Sequence, residues 1–234
     1  MIKLIRLERA KMKFTKYTLS AVIISVVIIL MTASMGIFAE NGEIVFNGVK
    51  ELLLAGDLLI RVSFTILAGV LLAQVVIKEF ERDTIKILFT YPISRKKIML
   101  AKLLVVFGMT MFLTLFSELL FISSITLLNN SFQITKEMID FSMIKSYLIH
   151  TALFSGITTA CIGLVPLYFG MIKKSVIVTI SSAVVVSLVL NGNVGGDGIS
   201  SNAFSFSLVP ITLCIIGITM AYLAFFRIDR KDIL

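Results

Sequence analysis

Six apolar runs recur along this 234-residue chain, at 18–39, 58–77, 103–128, 147–172, 175–190 and 206–226. Each is long enough to cross the ~30 Å hydrocarbon core of a bilayer as a helix, and the fifth, with 16 residues, must stand nearly upright or reach into its flanks. A membrane barrel would need ~10-residue segments of alternating polarity, and none occurs. With 58% hydrophobic residues and a mean hydropathy of +1.02, the composition cannot furnish the water-facing surface of a soluble domain. The fold class is therefore an all-α membrane protein with six transmembrane helices. No internal repeat and no charged or Pro-rich linker divides it, so 18–226 reads as one domain, preceded by a basic segment at 1–17 and followed by a short tail at 227–234.

Charge sets the orientation. Residues 1–17, 78–102, 173–174 and 227–234 carry six, seven, two and three of the 22 Lys and Arg residues, and all four fall on one side when the six runs alternate. The opposite side holds Lys50, Lys136 and Lys145, with Arg61 just inside a span. By the positive-inside rule both termini are cytoplasmic. Glu40, Glu43, Glu51, Asp57, Glu137, Asp140 and Asp197 fall on the outer side. The net charge of +8 is thus topological and implies no nucleic acid. The first run exceeds the ~7–15 residues of a signal-peptide core, which predicts an uncleaved first span. Cys161 and Cys214 lie in apolar runs without metal-type spacing and read as packing residues. The glycine-rich segment 191–202 reads as a flexible connector, since no Lys or Ser follows at P-loop spacing.

Arg6, Arg9, Lys13 and Lys16 recur on one helical stripe, opposite Leu4, Leu7, Ala10 and Phe14. Residues 1–17 are accordingly expected to form an interfacial helix on the lipid of the inner leaflet, with Lys3 and Lys11 snorkelling. A second amphipathic element falls in the charged island 78–102. There Thr84 can cap a short helix whose Ile85, Leu88 and Phe89 share a face. Pro92 ends it by pushing Tyr91 out of the α region, and Ser94 can cap the next helix, which opens with Arg95, Lys96 and Lys97 at headgroup level. Glu79, Glu81, Arg82 and Asp83 offer both signs of charge to a docking protein.

The order Glu-Phe-x-x-x-Thr-Ile at 79–85, then Pro92-Ile-Ser-Arg and Lys102-Leu-Leu, resembles the cytoplasmic loop between the second and third spans of type 2 ABC transporter permeases. The six-span layout, the basic N-terminal helix and the ending Phe226-Arg-Ile-Asp-Arg-Lys-Asp-Ile are similar too. In that family the loop is a coupling helix seated in a groove of a separate ATP-binding subunit. The resemblance assigns Glu79, Thr84, Ile85, Pro92, Ser94 and Arg95 to the coupling element, and Arg82, Asp83, Leu88 and Phe89 lie within it. Asp83 stands where the family commonly has Gly. The small size most resembles permeases of bacitracin, lantibiotic-immunity and related peptide exporters. The resemblance implies ATP and Mg²⁺ on the partner subunit, none on this chain, a second permease copy or a related one, and a bacterial cytoplasmic membrane.

Arg61, Glu118 and His150 form the other candidate site, since each lies inside an apolar run toward the outer side. A lone carboxylate in hydrocarbon costs several kcal/mol, so Glu118 should be neutral, paired or facing a wet cavity. The cluster is either a substrate or gating site or an internal tie between helices. Gly156, Ala160 and Gly163 make a small-residue stripe for close packing, and Pro166 can bend the fourth span. An intramembrane enzyme using Glu118 and His150 as an acid–base pair is the alternative, as is a membrane scaffold without transport. The sequence lacks the H-E-x-x-H of a metalloprotease, and it lacks a G-x-x-x-x-G-K-[ST] phosphate loop, so any ATP site lies on another chain.

The topology predicts that single cysteines at Asn47 and Asn193 react with an impermeant thiol reagent in intact cells, whereas one at Lys86 does not. Labelling at Lys86 with protection at Asn193 would reverse the orientation.

Overall fold

Packing is organised around the second long helix. The structure is a computed structural model that describes residues 2–11, 14–37, 48–82, 95–132, 147, 153–191, 212, 214–220 and 222. In chain order the helices are α1 (Ile2–Lys11), α2 (Phe14–Ile37), α3 (Val49–Leu72), a π-helical turn (Ala73–Ile77), α4 (Lys78–Glu81), α5 (Arg95–Phe132), α6 (Leu153–Ile162), α7 (Pro166–Lys173) and α8 (Val176–Asn191). Every element among the described residues is helical, as expected for the class. Among the described residues four stretches are long and apolar enough to cross a membrane: Phe14–Met35, Val49–Glu81, Lys97–Asn129 and Leu153–Lys173. The expected fifth run coincides with the shorter α8. Of the sixth run only 212, 214–220 and 222 are described, all helical.

The second stretch corrects the sequence reading. Its helix begins at Val49 and not near 58, so Asp57, assigned above to an outer segment, lies inside α3 at 1% exposure. Leu52 and Leu53 hold this early part of α3 in the core. The second and third stretches, 33 residues each, are about 50 Å long and must project beyond a ~30 Å hydrocarbon layer.

α3 packs against α2, α5, α6 and α8, and 72% of its most apolar window is buried, against 28% for α2. Ile60, Phe64 and Leu71 of α3 meet the core side chains Val106, Leu113, Phe121 and Ile125 of α5. Lipid tails are as apolar as these side chains, so close packing and interhelical hydrogen bonds must hold the helices together. Small residues permit that approach. A Cβ at Gly69 would collide with Ala183 of α8, and one at Gly163 with Ala68 of α3. Gly156 sits against Leu115, so two members of the expected stripe are pressed on neighbouring helices. The Ser25 and Ser117 hydroxyls, 2.7 Å apart, tie α2 to α5.

The fourth span is interrupted at 163–165, immediately before Pro166. Leu164 and Val165 donate to carbonyls three residues back, at 3.1 and 2.9 Å, and Pro166, which lacks an N–H, opens α7. α7 ends at Lys174 with φ 49°, the left-handed cap usual for glycine, which turns the chain directly into α8.

Candidate functional site

Lys102 lies about two turns into α5, past the basic residues that open it, and is completely buried. A buried ammonium must be paired and must place its N–H groups. Nζ donates to Glu79 Oε1 at 2.8 Å, to Glu8 Oε2 at 3.0 Å and to the Val75 carbonyl at 3.2 Å, which uses all three donors. Three segments meet at this one nitrogen: α1 through Glu8, the end of the second span through Val75 of its π-helical turn and Glu79 of α4, and α5, which carries Lys102 itself.

The π-helical turn helps set this geometry. Lys78 N–H reaches back five residues to Ala73, so the helix beyond is re-phased relative to an unbroken α-helix. Glu79 and Phe80 follow at once, and Phe80 is buried while the Glu79 side chain remains 22% exposed. α1 presents the buried Glu8 inward, while Leu7, expected on the apolar face, is 61% exposed. Glu8, the one acid among residues 1–17, reaches Lys102 there, and an outward Leu7 is compatible with the expected contact with lipid. Arg9 lies over the Phe14 ring at 5.6 Å, which braces the step from α1 into α2.

A second polar cluster lies in the first half of α3 and around its middle. Arg61 Nη2 lies 2.7 Å from Asp57 Oδ2, one helical turn apart, and the Asp57 carboxyl adjoins that of Glu118 on α5. Ser155 of α6 donates to Glu118 Oε1 at 3.4 Å. The Tyr147 hydroxyl lies 3.4 Å from Glu118 Oε2 and 3.2 Å from the Leu53 carbonyl. Glu118 is fully buried, Asp57 is 1% exposed and Arg61 is 7% exposed. Arg61 and Glu118, paired in the sequence reading, therefore do converge, with Asp57 as the bridge that reading missed. Their contacts link α3, α5 and α6.

His150 lies outside the described residues, as do Asp83, Thr84, Ile85, Leu88, Phe89, Pro92 and Ser94 of the expected coupling element and the tail 227–234. Of that element, Glu79 and Arg82 are placed at the end of α4, and Arg95 opens α5. Glu79 contacts Lys102, whereas Arg82 is exposed. Cys161 and Cys214, read separately as packing residues, adjoin one another. Among the described residues no group of three His, Cys, Asp or Glu side chains could hold a metal ion.

Sequence reasoning missed Glu8, Lys102, Asp57, Tyr147 and Ser155 as site residues. Two signals were available: the i, i+4 spacing of Asp57 and Arg61, and a lysine at the edge of an apolar run, with Ile98–Ala101 before it and Leu103 after it.

Residues 4–191 match the family model described as ABC-2 family transporter protein. The chain is also 32% identical over 233 residues to the uncharacterized protein YcbO of Bacillus subtilis (strain 168), an alignment covering 99% of this chain and 100% of that protein. No solved structure matches. The chain belongs to the ABC-2 family of transporter proteins. It is a multi-pass membrane subunit of an ABC transporter, a transport subunit and not itself a catalyst, in a family that works with ATP-binding cassette partners.

The tie at Glu118 makes a stability prediction. Glu118→Ala leaves the Tyr147 and Ser155 hydroxyls without this acceptor and should cost about 1–3 kcal/mol, read as a lower melting temperature of the purified subunit. ATPase stimulation in the surviving complex should stay near normal. Unchanged melting with lost stimulation would instead make Glu118 a substrate or gating group.

Proposed function

We propose that this subunit is the permease of an ATP-driven exporter in a bacterial cytoplasmic membrane, with both termini cytoplasmic, moving an antimicrobial or other amphipathic peptide out of the membrane or cell. A separate ATP-binding cassette subunit holds ATP and Mg²⁺ and supplies the hydrolysis. Two permeases, either two copies or this chain with a related one, enclose the path. Peptide export draws its support from the resemblance of the small six-span layout to peptide-exporter permeases.

The observation that carries the coupling mechanism is the ion pair at Lys102. The proposed coupling segment is flanked by Glu79 on one side and Lys102 on the other, and these two side chains are bonded at 2.8 Å. Both roots of the segment are thus one mechanical unit. A displacement imposed on residues 83–94 by the ATPase would reach the π-helical turn of α3 and the base of α5 together. Through Glu8 the same displacement reaches α1. An unpaired loop would absorb such a movement in its own backbone torsions, whereas a buried, three-way charge contact resists it.

Leu88→Asp or Phe89→Asp places a charge where an apolar groove is expected, so the permease should insert at normal levels yet fail to retain its ATPase in pull-down. Transport-dependent resistance should fall with it. Normal retention and resistance at wild-type protein levels would show that this segment is not the docking element.

A further inference from the structure

A cavity of about 660 Å³ opens beside the Lys102 cluster, between the start of α2 and the end of α3. Lys16, Tyr17 and Ser20 line one side, and Gln74 and Lys78 line the other. The Tyr17 hydroxyl donates to Gln74 Oε1 at 2.6 Å, which fixes the two walls relative to each other. Glu8 and Glu79 reach its inner edge, but both already bond to Lys102. Three lysines against two glutamates leave this region with one net positive charge, and the two lysines that line the cavity itself are exposed.

The cavity is graded along the membrane normal. Lys16 and Lys78 belong to the basic end of the bundle, while Leu67 and Val70 extend the wall along α3 toward its middle. From Lys78 to Leu67 is eleven residues, or about 16 Å of helix. That distance is close to half of a ~30 Å hydrocarbon layer. A cationic mouth followed by an apolar wall one leaflet deep has the polarity profile of one phospholipid molecule.

We propose that this cavity is a binding site for an anionic phospholipid of the leaflet at the basic end. The headgroup phosphate sits between Lys16 and Lys78, and an acyl chain runs along Leu67 and Val70. Basic pockets between membrane helices take such headgroups by the same charge complementarity. Occupancy would join α2 to the end of α3 and so brace the three segments that Lys102 gathers.

Native mass spectrometry of the full chain in mild detergent tests this, with phosphatidylglycerol, phosphatidylcholine and inorganic phosphate as probes. The wild type should retain phosphatidylglycerol in preference to phosphatidylcholine. Lys16→Gln with Lys78→Gln should weaken phosphatidylglycerol retention by about 30-fold, since each lysine near an anionic headgroup contributes about fivefold. Ser20→Phe, which fills the cavity and leaves the charge unchanged, should weaken it too, so the test does not depend on one variant folding. Lys97→Gln, an exposed lysine outside the cavity, should leave retention intact. Equal retention of both lipids by the wild type would overturn the site, as would wild-type retention in the double variant or in Ser20→Phe. Loss in Lys97→Gln equal to that in the double variant would reduce the effect to surface charge, and full displacement of the lipid by inorganic phosphate would make it a free-anion site; either result overturns the proposal.

Discussion

A lysine ammonium with no access to water is the constraint on which the basic end of this bundle depends. The Lys102 ammonium is compensated in the core by two carboxylates, and those come from segments far apart in the sequence. Removing one member of such a buried group typically costs about 3–5 kcal/mol, because the remaining charges are left uncompensated. That is comparable to a large fraction of a domain's net stability. The positions of α1, the π-helical turn and the base of α5 are therefore one coupled choice.

The two polar clusters lie at two levels of the second span, whose α3 packs against most of the other helices. From Asp57 to Glu79 is about 33 Å along that span, with an apolar core of Phe64, Leu71 and Leu72 between. One cluster joins α3 to α5 and α6, and the other joins the end of the span to α1 and α5. The second span and α5 are thus bonded at two levels, which makes the pair a stiff unit. Under the proposed mechanism, movement of the coupling segment is transmitted along this pair to the opposite side of the membrane, with the π-helical turn as the place where α3 can change its phasing.

Much of the class was legible in the sequence because span length and hydropathy are local properties. The runs at 18–39, 103–128 and 175–190 fall on α2, α5 and α8. The start of α3 was hidden because Lys50, Glu51 and Asp57 lower the local hydropathy, although Asp57 is tolerated inside by its pairing with Arg61. Arg61 and Glu118 stood out as charges inside apolar runs, and they do meet. The Lys102 contacts could not be read, since Glu8 lies 94 residues away and Glu79 lies 23 away across the charged island. Local pattern reports which charges are buried; it does not report which of them find each other.

Amide hydrogen exchange on the assembled transporter, comparing wild type with Lys102→Met, tests the account at its centre. If Lys102 pins the three segments, exchange should accelerate by about a hundredfold or more in α1, in 73–82 and at the start of α5, as expected for losing ~3–5 kcal/mol of local protection. Protection around Asp57 and Glu118 should be unchanged. Equal exchange in both proteins across those three segments, or acceleration spread evenly over the whole bundle, would contradict a local hub at Lys102.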